Sequence, residues 1–218
     1  MIRVYKGLEP KEWTQYRKTP GAVYQSFDFL TRALLEEQGY LCAYCMRRIP
    51  HRDKVDGKLT QEDHRIEHIK CRERYPDLQL EYANMVVCCP GHIGDEKHCD
   101  KSKDDDEISF SPMEQASVDT IAYRSDGRIF STNTDYDKEI NHVLNLNTAL
   151  LVRNRRSAIE EVIRLINTRQ KGKPWTIAIL KQYISKYSSK HNNNGKMQYI
   201  PYCGIVLYYL NKKLNQCK

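Results

Sequence analysis

Eight cysteines are spread unevenly along this 218-residue chain. Six of them, Cys42, Cys45, Cys71, Cys88, Cys89 and Cys99, fall between positions 42 and 99. The first ten residues show no apolar core followed by small residues, so no secretory leader is expected. Clustered cysteines in such a chain are expected to bind metal rather than to form disulfides. Cys42-Ala-Tyr-Cys45 is a C-x-x-C, which presents two thiolates to one tetrahedral zinc. A redox role would call for a βαβ context, but here a helical pattern precedes the pair and no such unit follows. Two more ligands must come from Cys88, Cys89, His92, His98 or Cys99. Four protein ligands leave no open position, so this zinc is expected to be structural. Cys203 and Cys217, and on the same grounds Cys71 or Cys88, read as small buried hydrophobes.

Between the two arms of that frame lie Glu67-His68 and Asn84, with Asp100 and Lys103 just after it. The order is C-x-x-C, acidic-His, Asn before an apolar run, then Cys followed by an oxygen ligand and Lys. It resembles the zinc-containing HNH endonucleases. The matching segments are Glu67-His68, Asn84-Met-Val-Val-Cys-Cys89 and Cys99-Asp-Lys-Ser-Lys103. Cys-Ala-Tyr-Cys, Ile-Glu-His-Ile-Lys, a downstream Tyr-Pro and a late His-Cys-Asp look more closely like the PtuB-type nuclease subunits of Septu and retron-linked anti-phage systems. This likeness covers about residues 20–110. It implies an α+β fold around a ββα-metal nuclease core, with an N-terminal helix and a mostly helical C-terminal extension. It implies Cys42, Cys45, Cys89 and Cys99 as zinc ligands, and an ATPase subunit of the SMC/ABC type as partner. Two departures stand out. Cys89 and Cys99 are ten residues apart where the family often has three, and Asp100 occupies a position usually held by His or Asn.

The resemblance implies phosphodiester hydrolysis. His68, neutral near pH 7, would take a proton from the attacking water. Glu67 and Asp100 would hold a catalytic magnesium or manganese ion. Asn84 would either join the metal shell or pin the loop that orients His68. Lys103 would offset transition-state charge. Glu67 and His68 are adjacent, so a regular strand would point them to opposite faces, and a bend is expected to bring both to one site. His51, His64, His92, His142 and His191 lack such context. DNA is the expected substrate. The alternatives are an RNA substrate such as transfer RNA, and a non-catalytic zinc module that binds nucleic acid or scaffolds the ATPase.

The elements that must position these groups follow from periodicity. Residues 26–38 read as a helix with Phe27, Leu30, Leu34 and Leu35 on one face, Ser26 as N-cap and Gly39 as stop. Residues 50–64 read as a loop or loose hairpin, 65–69 as a short strand, and 85–87 as an apolar run into Cys88-Cys89. A hairpin is expected over 118–131 around Asp126-Gly127. From Asp137 the apolar spacing is helical until Gly172 and Pro174. Residues 175–187 form a second helix with Ile177, Leu180, Tyr183 and Ile184 as its apolar face. Residues 192–195 form a loop, and 201–214 a last helix with Pro201 near its start.

Charge divides the chain. Residues 140–218 carry 14 Lys and Arg against Glu160 and Glu161, a net +12. Residues 1–139 carry 21 basic and 26 acidic residues, a net −5. A nuclease domain over 1–139 and a basic helical region over 140–218, packing on it or docking a partner, are therefore expected, with nucleic acid or an acidic protein as the complement. No apolar run reaches the roughly 20 residues of a spanning helix, the mean hydropathy is −0.72, and a cytoplasmic location is expected.

Overall fold

The computed structural model describes residues 1–50, 64–93 and 96–217. The expected loop over 50–64 lies almost wholly outside them. The fold is mixed α+β, with four two-stranded antiparallel sheets among the described residues. Helix α1, Lys11–Arg17, was not expected from periodicity. It begins after Pro10 and buries one large side chain, Trp13. The Trp13 ring packs among Tyr16, Tyr24 and Phe27, and its Nε1–H donates to the Leu80 carbonyl at 3.0 Å.

Helix α2, Asp28–Glu37, buries Leu30, Leu34 and Leu35 as its pattern demands. Its N-terminus differs from expectation. Phe27 is the flanking residue, in extended backbone with no side-chain cap, so Ser26 does not cap. Gly39 ends the helix at φ +56, where a Cβ would lie 2.5 Å from the Tyr199 ring.

Strand β1, Arg65–His68, pairs antiparallel with β2, Met85–Cys88, placing Glu67 opposite Val86 and His68 opposite Met85. Every residue of β2 is buried, which explains its unbroken apolar run. The Gln38 side chain ties α2 to β2, accepting from Val87 N–H and donating to the Val87 and Leu41 carbonyls. Next come the tiny hairpin of β3, His92–Ile93, and β4, Glu96–Lys97, and the one-turn helix α3, Asp100–Lys103.

Helix α4 spans Gln115–Asp119, so Val118 is helical rather than part of the hairpin. The hairpin itself is β5, Ile121–Tyr123, with β6, Ile129–Ser131. Helix α5, Thr134–Lys138, runs into a π-helical turn, Glu139–Val143. The helical pattern from Asp137 then breaks at Asn145, φ +45. Helix α6, Ala149–Gln170, restarts with Thr148 capping Leu151 N–H. The break is tertiary in origin, because the Leu144 carbonyl accepts from Cys99 N–H instead of continuing a helix. Buried Arg155 holds the same turn through Leu146 and Asn147.

Helix α7, Ile177–Ser188, buries Ile179, Leu180, Tyr183 and Tyr187, while the expected core residue Ile177 is exposed. Of the loop expected over 192–195, Asn192 and Asn193 belong to strand β7, His191–Asn193, and only Asn194-Gly195 turns into β8, Lys196–Gln198. Helix α8, Cys203–Gln216, closes the chain. One hydrophobic cluster runs from Met1 and Trp13 through Val86 and Ile140 to Val162 and Leu210. The C-terminal helices thus pack onto the N-terminal part, and the core is continuous across residue 139. Among the described residues, no helix is long and apolar enough to cross a membrane.

Candidate metal centre and adjoining cleft

Two tight turns build the metal centre. After α2, Leu41 pairs with Arg48, Cys42 N–H donates to the Arg47 carbonyl and Met46 N–H to the Cys42 carbonyl. Met46 closes the turn at φ +62. The second turn begins directly after β2 at Cys89. Between Cys89 and Cys99, the antiparallel pairing of β3 with β4 folds the chain back. His98 N–H donates to the Gly91 carbonyl at 2.7 Å and seals the base of that pairing. Gly91 has φ +74, and a Cβ there would lie 2.5 Å from the His98 carbonyl oxygen. The ten-residue spacing is thereby reduced to a short gap in space.

Cys42, Cys45, Cys89 and Cys99 are all buried, and their sulfurs lie within 4.8 Å of one another. Cys42 Sγ is 3.8 Å from Cys99 Sγ, and Cys45 Sγ is 3.7 Å from Cys89 Sγ. Tetrahedral zinc with Zn–S of about 2.3 Å requires sulfur–sulfur edges of about 3.8 Å. Four closely set thiols of this geometry can hold a metal such as zinc, and they close its coordination. Burial pushes the Cys45 and Cys99 thiols well up. In Cys42 burial acts the same way but is outweighed by hydrogen bonds from neighbouring thiols. Ionising all four together requires a cation among them. Cys71, Cys88 and Cys203 are buried outside the cluster, and Cys217 is exposed. His92 is exposed, with Nδ1 facing the Pro90 carbonyl.

Beside this centre lies a cleft of about 450 Å³, whose walls include Tyr24, Arg65, Glu67, His68, Arg72 and Asp100. His68 ends β1. Its Nε2 is 3.0 Å from the Gln79 carbonyl, which can only accept, so Nε2 carries the proton and Nδ1 is left with a free lone pair. The Tyr24 ring meets the imidazole edge-on at 4.5 Å between centroids. Burial pulls His68 down to about 4, so it is neutral at physiological pH.

Glu67 is buried on the other side of the strand end. Its Oε1 accepts from the Tyr44 hydroxyl at 3.0 Å and lies 3.1 Å from Lys103 Nζ. Burial, reinforced by a hydrogen bond with Asp100, pushes the Glu67 carboxyl up to about 8 despite Lys103. Asp100 is partly exposed, and its Oδ2 is 3.5 Å from Arg65 Nη1. Two adjacent carboxylates of which one resists ionisation form a place where a cation gains. The strand terminates at His68, and both Glu67 and His68 line the cleft from opposite sides of that terminus.

Comparison with known protein families finds no matching family model, and comparison with curated proteins finds no match.

The sequence-selected residues do not all do what their order suggested. Cys42, Cys45, Cys89 and Cys99 converge. Glu67, His68, Asp100 and Lys103 line one cleft. Lys103, however, is fully buried, and its ammonium has the Glu67 carboxylate at ion-pair distance without a well-directed hydrogen bond. It faces the Glu67 carboxyl rather than projecting into the cleft as a free cation. Asn84 lies outside the cleft wall. Its amide donates to the Lys70 and Leu78 carbonyls and accepts from Lys70 N–H, so of its two expected roles it fills that of loop pin. That loop carries the Gln79 carbonyl on which His68 rests.

Sequence reasoning missed Tyr44, Tyr24, Arg72 and the Gln79 carbonyl, and His64 also lines the cleft. Tyr44 alone had a signal, its place inside the C-x-x-C. His51 lies outside the described residues.

Proposed function

We propose that this chain is a metal-dependent HNH-type endonuclease. In this reading β1, β2 and α3 form the ββα-metal unit, and DNA is the substrate. The observation that carries it is the state of His68. It is buried, neutral and tautomerically set, with Nδ1 free, beside the Glu67–Asp100 pair. A neutral imidazole held from behind by a carbonyl is the arrangement a general base needs. His68 would accept a water proton at Nδ1 while Nε2–H stays on Gln79, so the ring needs no reorientation.

Glu67 and Asp100 would hold magnesium or manganese, which would supply charge stabilisation at the phosphorane and the leaving 3′ oxygen. Two protein carboxylates leave positions for phosphate oxygens, as a hard octahedral cation prefers. Lys103 and Tyr44 hold Glu67 in place for that cation. Arg65, Arg72, Lys97 and Lys101 on the cleft wall match a phosphate backbone. The resemblance to the Septu and retron-linked nuclease subunits adds an SMC/ABC-type ATPase partner and a role in anti-phage defence.

The test is incubation with duplex DNA, single-stranded DNA and total RNA, with magnesium or manganese, with and without an ATPase of the SMC/ABC type. DNA cleavage is expected from the wild type, falling by about 10²–10⁴ in His68→Ala. A His68→Ala protein that cuts at the wild-type rate defeats the proposal. Cleavage confined to RNA keeps the chemistry and replaces the substrate.

A further inference from the structure

His98 is the one histidine among the described residues with no exposed surface, and its ring nitrogens have been given no role. Its Nε2 is buried without a partner. Its Nδ1 is 3.2 Å from Cys99 Sγ and 3.9 Å from Cys89 Sγ. The sulfurs of the metal centre are thus the polar contacts that hold this ring. For a tetrahedral zinc with Zn–N of about 2.0 Å and Zn–S of about 2.3 Å, the nitrogen–sulfur edge is about 3.5 Å. The Cys89 distance, which remains an edge once Cys99 has left, lies within about half an ångström of that value. An imidazole left with an orphaned nitrogen costs about 1–3 kcal/mol, and a ring with no other polar partner owes its burial to this centre.

We propose that His98 is a reserve ligand of the metal centre. When the Cys99 thiolate is lost to the metal, His98 Nδ1 takes the vacated position and keeps the two turns joined. The chain geometry favours this exchange. His98 and Cys99 are neighbours at the base of the β3–β4 hairpin, and the Gly91 contact of His98 N–H anchors the backbone independently of the sulfur. Cys42, Cys45 and Cys89 would stay in place, so the substitution converts four thiolates to three thiolates and one imidazole, a set that zinc accepts equally. The proposal rests on metal binding by the four cysteines.

The experiment uses full-length protein loaded with cobalt(II), whose thiolate charge-transfer absorbance reports the number of bound sulfurs, together with zinc affinity by competition with a chromophoric chelator. Cys99→Ser is expected to keep a tetrahedral cobalt spectrum with charge transfer reduced to about three quarters. Cys99→Ser with His98→Phe is expected to bind zinc at least about tenfold more weakly than Cys99→Ser. His98→Phe alone is expected to keep the four-thiolate spectrum. Equal affinity of Cys99→Ser with and without His98 overturns the proposal and leaves His98 as a hydrogen-bond donor to sulfur. Should Cys99→Ser fail to fold, stepwise thiol titration with a mercurial replaces it. Zinc release after the first thiol in His98→Phe, but only after a second in the wild type, supports the reserve ligand, and identical release overturns it. A wild type that binds neither cobalt nor zinc defeats the metal centre itself, a different outcome from either.

Discussion

His68 and Glu67 are neighbours in the chain with opposite electrostatic situations. Burial removes the proton from His68 and leaves one on Glu67. For His68 this has a consequence for stability. Its folded value is about 4 against an ordinary 6.5, so the folded state binds fewer protons than the unfolded state between those limits. Its contribution is complete above pH 6.5 and is lost as the pH falls towards 4, about 3 kcal/mol in all. Replacing His68 with Gln should therefore flatten the acid limb. The difference in denaturation free energy between pH 7 and pH 4.5 should shrink by a clear fraction of that amount, and an unchanged slope would place His68 in a solvated environment.

Lys103 belongs to the same scale. Above pH 8, where the Glu67 carboxyl is ionised, removing one member of this buried ion pair strands the other, which costs about 3–5 kcal/mol, whereas removing both is far milder. Lys103→Met alone should lose most of that, and Glu67→Gln with Lys103→Met should recover part of it. Chemical denaturation of the four corners of the cycle measures the coupling, which should exceed about 1 kcal/mol.

At the scale of elements, the β3–β4 hairpin decides whether the metal centre can close. Its hinge is Gly91, at φ +74 with backbone pressed against the absent Cβ. Gly91→Ala combines a left-handed alanine, about 1–2 kcal/mol, with a clash that pushes His98 and Cys99 outward. Zinc affinity should fall at least about tenfold along with the thermal midpoint. Gly172 offers the control, since it has φ +79 but nothing within 4 Å of a Cβ. Gly172→Ala should lose only the conformational part and keep full zinc affinity. Equal zinc affinity in the two variants would disconnect the hairpin from the centre.

The same scale shows how the metal centre and the cleft are joined. Among the described residues, the groups that contact the Glu67 carboxyl sit on the segments that carry the cysteine cluster: Tyr44 between Cys42 and Cys45, and Asp100 and Lys103 directly after Cys99.

At the scale of the molecule, the centre ties distant parts of one continuous core. Cys99 N–H holds the Leu144 carbonyl, Arg155 holds the following turn, and Tyr202 N–H donates to the Met46 carbonyl beside Cys45. Metal removal should therefore be felt far beyond the two turns. Chelation under conditions that keep the thiols reduced should lower the thermal midpoint by roughly 10 °C or more, as expected for losing several kcal/mol from a chain of this size. Hydrogen exchange should speed up in α3, the 144–148 turn and the start of α8. A chelated protein with unchanged exchange in those segments would show that packing alone holds them.

What the chain revealed by itself was whatever depends on local order. The apolar faces of α2 and α6 follow from a period of 3.6, β2 from its unbroken run, and the end of α6 shortly before Gly172 from glycine and proline. The donor residues and their sequence were also legible, because side-chain chemistry is written in the residue type.

Only the tertiary structure decided which donors meet. Five candidates for the second pair of ligands lay between Cys88 and Cys99, and a folded-back hairpin selected Cys89 and Cys99 while placing His98 against their edge. It also turned Lys103 inward to Glu67, gave His68 a backbone carbonyl no motif could name, and broke the Asp137 helix so that Leu144 could receive Cys99. Each of these joins residues far apart in sequence or only partly regular in backbone. Burial and hydrogen-bond satisfaction over such separations are properties of the packed interior, and no local period records them.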